Sequence, residues 1–332
     1  MKVVITGGGG FLGSQLARKL QDRGELTGPS GEPEPIDELV LFDAIFSGTI
    51  QQGWVGEATL LTRNITDRDA VFDAMVDADT IFHLASMVSG ECEKKFDDAL
   101  NVNLQGGLHV FESARARGPK TRVVFASSIA VFGGEAMQEP NTDFTKQTPQ
   151  TTYGITKAAC ESLVNDYSRK GFFDGRSARL PTVIIRPGKP NAAASSWASG
   201  MFREPLAGEP CELPVHRDQC HPMTGYRTVI DSLVEIHEIH PENLGQDRAL
   251  GLPAHRVTPA EAEYVVNAVA EEREIQPGLI VDAFDPEIQA IVDNWPTDVD
   301  GSRAVKLGLP HPPELKEIVR QYLDDFGGAE MA

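Results

Sequence analysis

Cysteine is scarce and scattered. The four, Cys92, Cys160, Cys211 and Cys220, form no C-x-x-C pair, and none has a nearby histidine at metal-ligand spacing. That argues against a disulfide framework or a zinc module and fits buried thiols in a reducing compartment. His237 and His240, beside Glu238, are the one pair that hints at a metal. Without a third ligand group the pair reads as an exposed helix end, and no metal is expected. Long apolar runs are also missing, so no membrane span is expected. The chain enters an apolar strand pattern at once, with neither the basic nor the apolar region of a secretory signal, which places it in the cytoplasm. Positive charge is the third shortage: 30 Lys and Arg stand against 49 Asp and Glu, a net charge of −19. Such a surface repels nucleic acid and anionic membranes, and neither is expected as a partner. An anionic ligand would need the few cations gathered at one place.

What is present is ordinary for a soluble globular protein: 332 residues, 41% hydrophobic and 24% charged. The length allows two domains, or one large α/β domain with a smaller lobe. Glycine is concentrated where it matters. The apolar run Val3 to Ile5 stops at Gly7-Gly8-Gly9-Gly10, and a helical pattern begins at Phe11. Gly7, Gly10 and Gly13 fit G-x-x-G-x-x-G; Gly8, Gly10 and Gly13 fit G-x-G-x-x-G. Strand, tight turn and helix in that order suit a dinucleotide pyrophosphate, which needs positive φ, no Cβ beside the phosphates and free N–H groups at a helix start.

Alternation continues down the chain. Arg23 to Glu38 reads as a surface loop. Strands are expected at Leu39–Phe42, Ala58–Leu61, Asp79–Leu84, Arg122–Ala126 and Thr182–Ile185, and Asp67 caps a short helix. Longer helices are expected at Glu93–Arg117 and Thr152–Arg169. Such a rhythm predicts an α/β fold with a doubly wound parallel Rossmann sheet. The apolar strands suit burial on both faces. Beyond residue 187 the rhythm breaks. Helices are expected at Pro259–Glu272 and Pro312–Phe326, with a strand at Leu279–Phe284. We therefore read 1–187 as the cofactor-binding domain and 188–332 mainly as a smaller C-terminal substrate-binding lobe, with some segments returning to the sheet.

Three features carry chemistry. Asp43, ending the second strand, is placed to accept hydrogen bonds from the adenosine ribose and to repel a 2′-phosphate. Ala44 to Ser47 offer no base to hold one, so NAD is favoured over NADP. Tyr153 and Lys157 form Y-x-x-x-K, one helical turn apart on one face. A free tyrosine titrates at about 10; a neighbouring cation favours the phenolate and makes it a usable base. Ser128, 25 residues upstream at the carboxyl end of a strand, lies where ligands of such sheets bind.

Together with Thr6, Asn64-Ile65, His83-Leu84-Ala85-Ser86, Asn103, Ser127-Ser128 and Arg186-Pro187, these pieces resemble the extended short-chain dehydrogenase/reductases over residues 1 to about 190. The resemblance implies the following roles. Ser128 polarises the substrate oxygen, Tyr153 is the acid/base, Lys157 tunes it and binds the nicotinamide ribose, and Asn103 holds a relay water. Gly7, Gly10, Phe11, Leu12, Gly13, Asp43, Asn64, Ile65, Leu84, Ala85, Ser86 and Pro187 hold NAD. A homodimer through the helices of Asn103 and Tyr153 is implied as well.

Within that family, Arg186-Pro-Gly-Lys-Pro-Asn-Ala-Ala-Ala-Ser-Ser196 and Thr148-Pro-Gln-Thr-Thr-Tyr-Gly154 are similar to the branch acting on D-erythronate. The implied reaction is NAD-dependent oxidation of the C2 hydroxyl of this small anionic sugar acid. Ser86, Ser128, Tyr153, Lys189, Asn191, Ser195, Arg203, Arg217 and Arg227 are the expected substrate residues, the cations answering the carboxylate. Two alternatives stay open: an NDP-sugar epimerase or dehydratase that retains NAD, and a non-catalytic NAD sensor.

Overall fold

The computed structural model describes residues 1–48, 50, 55–135, 137–189 and 193–327. Its centre is a parallel sheet built from β1 (Lys2–Thr6), β2 (Glu38–Asp43), β3 (Thr59–Thr62), β4 (Thr80–His83), β5 (Arg122–Ser128) and β6 (Asp174–Leu180). The smaller sheets use β7 (Thr182–Ile184), β8 (Cys211–Leu213), β9 (His221–Gly225), β11 (His255–Val257) and β12 (Ile280–Asp282), while β10 (Ala249–Gly251) rejoins the centre. The longer helices are α1 (Phe11–Arg23), α2 (Gly106–Arg117), α3 (Thr152–Arg169), α4 (Ser196–Leu206), α5 (Tyr226–Glu238), α6 (Pro259–Glu272) and α7 (Leu315–Phe326).

The seven-stranded order is β10-β6-β5-β4-β1-β2-β3. Winding runs outward from β1 in one direction, then restarts at β4 in the other, so the switch point lies between β1 and β4. Registers Thr6↔His83 and Ser128↔Leu180 bring the carboxyl ends of the central strands to one edge. Val3, Val4 and Ile5 are fully buried, as a strand covered by helices on both faces requires. The second lobe holds a three-stranded sheet, β11-β9-β7, and the parallel pair β8-β12. α6 packs on α4 and α7. A capping box at Thr258 and Glu261 starts α6 where the sequence places it.

Several expectations are corrected. Residues 23–38 contain a short hairpin, Glu25–Thr27 with Pro33–Pro35, rather than only loop. The helix expected over 93–117 is broken into Ser89–Lys94, Phe96–Ala99, a wider π-helical stretch Leu100–Gln105, and α2. Thr182–Ile184 is a strand of the three-stranded sheet, while the central place belongs to β6, whose Arg176 and Arg179 disguise a buried strand. They are tolerated inside because Asp174 and Glu161 answer them. His237 is not at an exposed helix end. It is fully buried in α5, bonded to Thr80 Oγ1 at 2.9 Å, and burial lowers its pKa to about 4.

Candidate active site

The glycine turn is held open by contact, not by composition alone. Gly7 has φ +74°, and a Cβ there would stand 2.7 Å from the Ala85 backbone nitrogen. A Cβ on Gly13 would stand 2.1 Å from the Gly7 carbonyl oxygen. Bare backbone thus lets α1 abut the turn and leaves room above it. α1 starts at Gly10 with no side-chain cap and no acid in its first turn, so its N-terminal N–H groups face an anion without competition. Asp43 closes the far side: its Oδ2 accepts from Gly9 N at 2.9 Å. Thr6 Oγ1 lies 2.7 Å from His83 Nδ1 and accepts from Ala85 N at 3.3 Å, locking β1 to the strand across the switch point.

A cavity of about 450 Å³ opens over this turn. Gly7, Gly10, Phe11, Leu12, Gly13, Leu84 and Ser86 line one side; Ser128, Tyr153 and Lys157 line another. Gly154 explains their closeness. A Cβ on it would fall 2.1 Å from the Ala130 carbonyl oxygen, so only glycine lets α3 start against the segment after Ser128. Thr151 caps α3, accepting from Gly154 N at 3.1 Å. The Ser128 hydroxyl accepts from Ala130 N at 3.1 Å and lines the cavity with the Tyr153 phenol, whereas the Ser127 hydroxyl donates to Glu161 at 2.5 Å.

The electrostatics differ from the simple expectation of a cation that lowers a phenol. Burial pushes Tyr153 up to about 12, with the nearby Ser128 hydroxyl acting in the opposite sense. Burial also pushes Lys157 down to about 8. Its Nζ donates to the Ala126 carbonyl at 2.8 Å and sits 5.5 Å from the centre of the Tyr153 ring. Desolvation, not the neighbour's charge, therefore dominates both groups.

The other expected cofactor residues lie around the cavity rather than in its wall. Asn64 is exposed, its side chain accepting from Thr66 N, and Ile65 is buried against Gly106. Ala85 underlies Gly7. Asn103 is buried and pins the segment after β4: Met87 N donates to its Oδ1 at 2.7 Å, and its Nδ2 faces Cys92 and Thr156. Pro187 is half-buried outside the lining.

The expected substrate cations separate. Arg203 lines the cavity with Ser195, and pairs with Glu204. Arg217 is turned away to Glu263 and Asp282, and Arg227 to Asp325, so neither reaches the cavity. Lys189 is exposed beyond it. Asn191 lies outside the described residues. The cavity also takes in Thr182, Arg186, Ser199, His221 and Trp295 from the second lobe. Of these only Arg186 had a signal, its place in the Arg-Pro pair. The others are scattered over more than a hundred residues, and no local spacing links them.

The exposed bare turn, the Asp43 carboxylate and the uncapped helix end fit a nicotinamide dinucleotide. Such a cradle, facing a serine, tyrosine and lysine across a switch point, is that of the extended short-chain dehydrogenase/reductases. Residues 3–222 match the NAD dependent epimerase/dehydratase family, and the chain belongs to it. It is 39% identical to the D-erythronate dehydrogenase of Cupriavidus necator, over 99% of this chain and 100% of that protein. To the D-erythronate dehydrogenase of Haemophilus influenzae it is 37% identical, over 98% and 99%. A solved structure described as the nucleoside-diphosphate-sugar epimerase from Agrobacterium tumefaciens is 34% identical with a TM-score of 0.87, over 100% of this chain and 96% of that one. Among the described residues, no helix is long and apolar enough to cross a membrane, and no cluster of metal-ligating side chains is found.

Proposed function

We propose that this protein is an NAD-dependent dehydrogenase that oxidises the C2 hydroxyl of D-erythronate, or of a close small aldonate, to the 2-keto acid. The observation that carries this reading is the convergence of Ser128, Tyr153 and Lys157 on the cavity above the glycine turn. Gly7, Gly10, Gly13, Asp43 and Lys157 would hold NAD, which supplies the hydride acceptor when bound. Tyr153 Oη acts as the phenolate: its own proton passes by way of Lys157 and the Asn103 relay to solvent, and it then takes the C2 hydroxyl proton. Ser128 Oγ donates to the same oxygen as it becomes a carbonyl. Lys157 holds a positive charge under the phenol, and Asn103 keeps the segment before the relay in place. Residues 1–187 mainly serve the cofactor and 188–332 mainly the substrate, with β7 and the Arg186 segment after it siding with the second lobe.

An epimerase that retains its NAD is the second reading, raised by the Agrobacterium structure. A nucleotide sugar must also seat a second diphosphate. A second cavity of about 280 Å³, which shares no lining residue with the first, is lined by Asp143, Glu161 and Asp247 with a single Arg179. Its carboxylates would repel that group. Incubation with D-erythronate and excess NAD decides. Multiple turnovers of released NADH are expected; epimerised nucleotide sugar with no net NADH would favour the second reading. NAD binding without any turnover would leave a sensor.

The same proposal includes a cytoplasmic homodimer. Phe96, just before the Asn103 segment, is 57% exposed, and Ile155 of α3 is 54% exposed, an apolar pair suited to a self-association face. Sedimentation should give twice the mass of the chain.

A further inference from the structure

On the dehydrogenase reading above, we propose that Arg186 grips the substrate carboxylate and makes the enzyme choose acids over neutral analogues. The argument begins with charge pairing. In this acidic chain the other buried or largely buried arginines are answered by a carboxylate. Asp174 meets Arg122, Arg176 and Arg248; Glu161 meets Arg179; Glu204 meets Arg203; Asp143 meets Arg303. Arg186 differs. It lines the cavity, yet among the described residues no carboxylate lies within ion-pair distance of it. Its Nη1 donates only to the neutral Lys189 carbonyl, at 2.8 Å. Burial and the nearby Arg203 cation both lower its pKa. An anion in the cavity would relieve both.

The residue is also fixed before any ligand arrives. Its backbone N–H donates to Ser199 Oγ at 3.1 Å, and its carbonyl accepts from Arg203 Nη1 at 2.8 Å. Arg203, with Glu204 on its other nitrogen, is thus spent on holding the Arg186 backbone. That leaves the Arg186 fork as the cation in the lining from the second lobe that has no acid, facing the same space as Ser128 and Tyr153. A planar fork suits a carboxylate in two parallel hydrogen bonds. With Ser128 and Tyr153 on the hydroxyl and Arg186 on the acid group, the fitting substrate class is a short 2-hydroxy carboxylate, whose two groups sit on adjacent carbons.

The test compares D-erythronate with D-erythronamide, which keeps every hydroxyl and loses the charge, in the wild type, Arg186→Gln and Arg186→Lys. The wild type should prefer the acid by about 100-fold in kcat/KM. Arg186→Gln should raise KM for the acid by about 100-fold and bring the two substrates within about tenfold of each other, with KM for NAD unchanged. Arg186→Lys should fall between. Retention of the full acid preference in Arg186→Gln overturns the assignment, as does an equal loss for acid and amide together with weaker NAD binding. If the wild type oxidises neither compound, the dehydrogenase reading fails. Calorimetric binding of D-erythronate to the NADH-loaded wild type and Arg186→Gln then judges Arg186 separately: equal affinity overturns it, and weaker binding in the variant supports it.

Discussion

At the residue scale the proposed chemistry rests on Tyr153, half-buried at the cavity, and Lys157, buried beneath it. Replacing Tyr153 by Phe should abolish turnover while leaving NAD affinity within a few-fold, because the phenol oxygen is the proposed base and α3 keeps its packing. Near-normal turnover would sink the mechanism. Lys157 makes a prediction about stability. Its folded pKa is about 8 against an ordinary 10.5, so between those values the unfolded chain binds more protons and stability rises with pH. Below pH 8 both states are protonated and the folded state bears the whole cost of the buried charge, on the order of 3 kcal/mol. Urea unfolding of the protein without added cofactor, at pH 7, 9 and 10, should therefore show the wild type gaining stability relative to Lys157→Met across that window. A constant difference would mean that Lys157 is not desolvated.

At the element scale, β6 is held by its charges. Arg179 donates to both Glu161 oxygens at 3.1 Å from Nε and at 2.9 Å from Nη2, tying the strand to α3 one turn beyond Lys157. Arg179→Leu should cost about 3–5 kcal/mol in urea unfolding, since it strands a buried carboxylate. Glu161→Leu added to it should recover part of the loss. Little or no loss in the single variant would show that water reaches Glu161.

The same strand shows where sequence reading fails. β1, α1, α3 and α6 are legible because their apolar spacing, caps and glycines are local signals. Asp-Gly-Arg-Ser-Ala-Arg-Leu looks like a polar connection, for the partners that bury its arginines come from α3, from the carbonyls at the end of α5 and from the segment near Asp143. Of α5 only the end at His237 is legible, although Val229, Ile230, Leu233 and Ile236 are buried in it, because the sheet it packs on beside β5 and β6 carries no local signal there. Of the site, the glycine turn and the Ser128, Tyr153 and Lys157 set are legible and meet at one cavity, because each rests on a local motif in the first half of the chain. The substrate half could not. Arg217 and Arg227 are cations like Arg186, and only the fold shows which have acids already.

The whole molecule carries a charge of −19, and much of it lies on exposed surface. Self-repulsion on that scale weakens the folded state and is screened by salt. The thermal midpoint should rise by about 2–4 °C between low salt and 0.2 M NaCl; a fall would mean that the surface ion pairs outweigh the repulsion. On the proposed function the acidity also sharpens the role of the cavity, as the sugar acid would leave a repelling exterior for the Arg186 cation within.

The return of Ala249–Gly251 to the central sheet bears on how the protein is made. β10 pairs with β6, and Arg248 just before it bonds Asp174. Asp143, near the middle of the chain, waits for Arg303. During synthesis the glycine turn, Ser128 and Tyr153 leave the ribosome long before these partners. The cofactor half then has an unpaired outer strand and arginines without their full set of acids and carbonyls. The sheet that carries the glycine turn therefore gains its outer strand, and Asp143 and Asp174 their full set of cations, only when the last third of the chain has emerged.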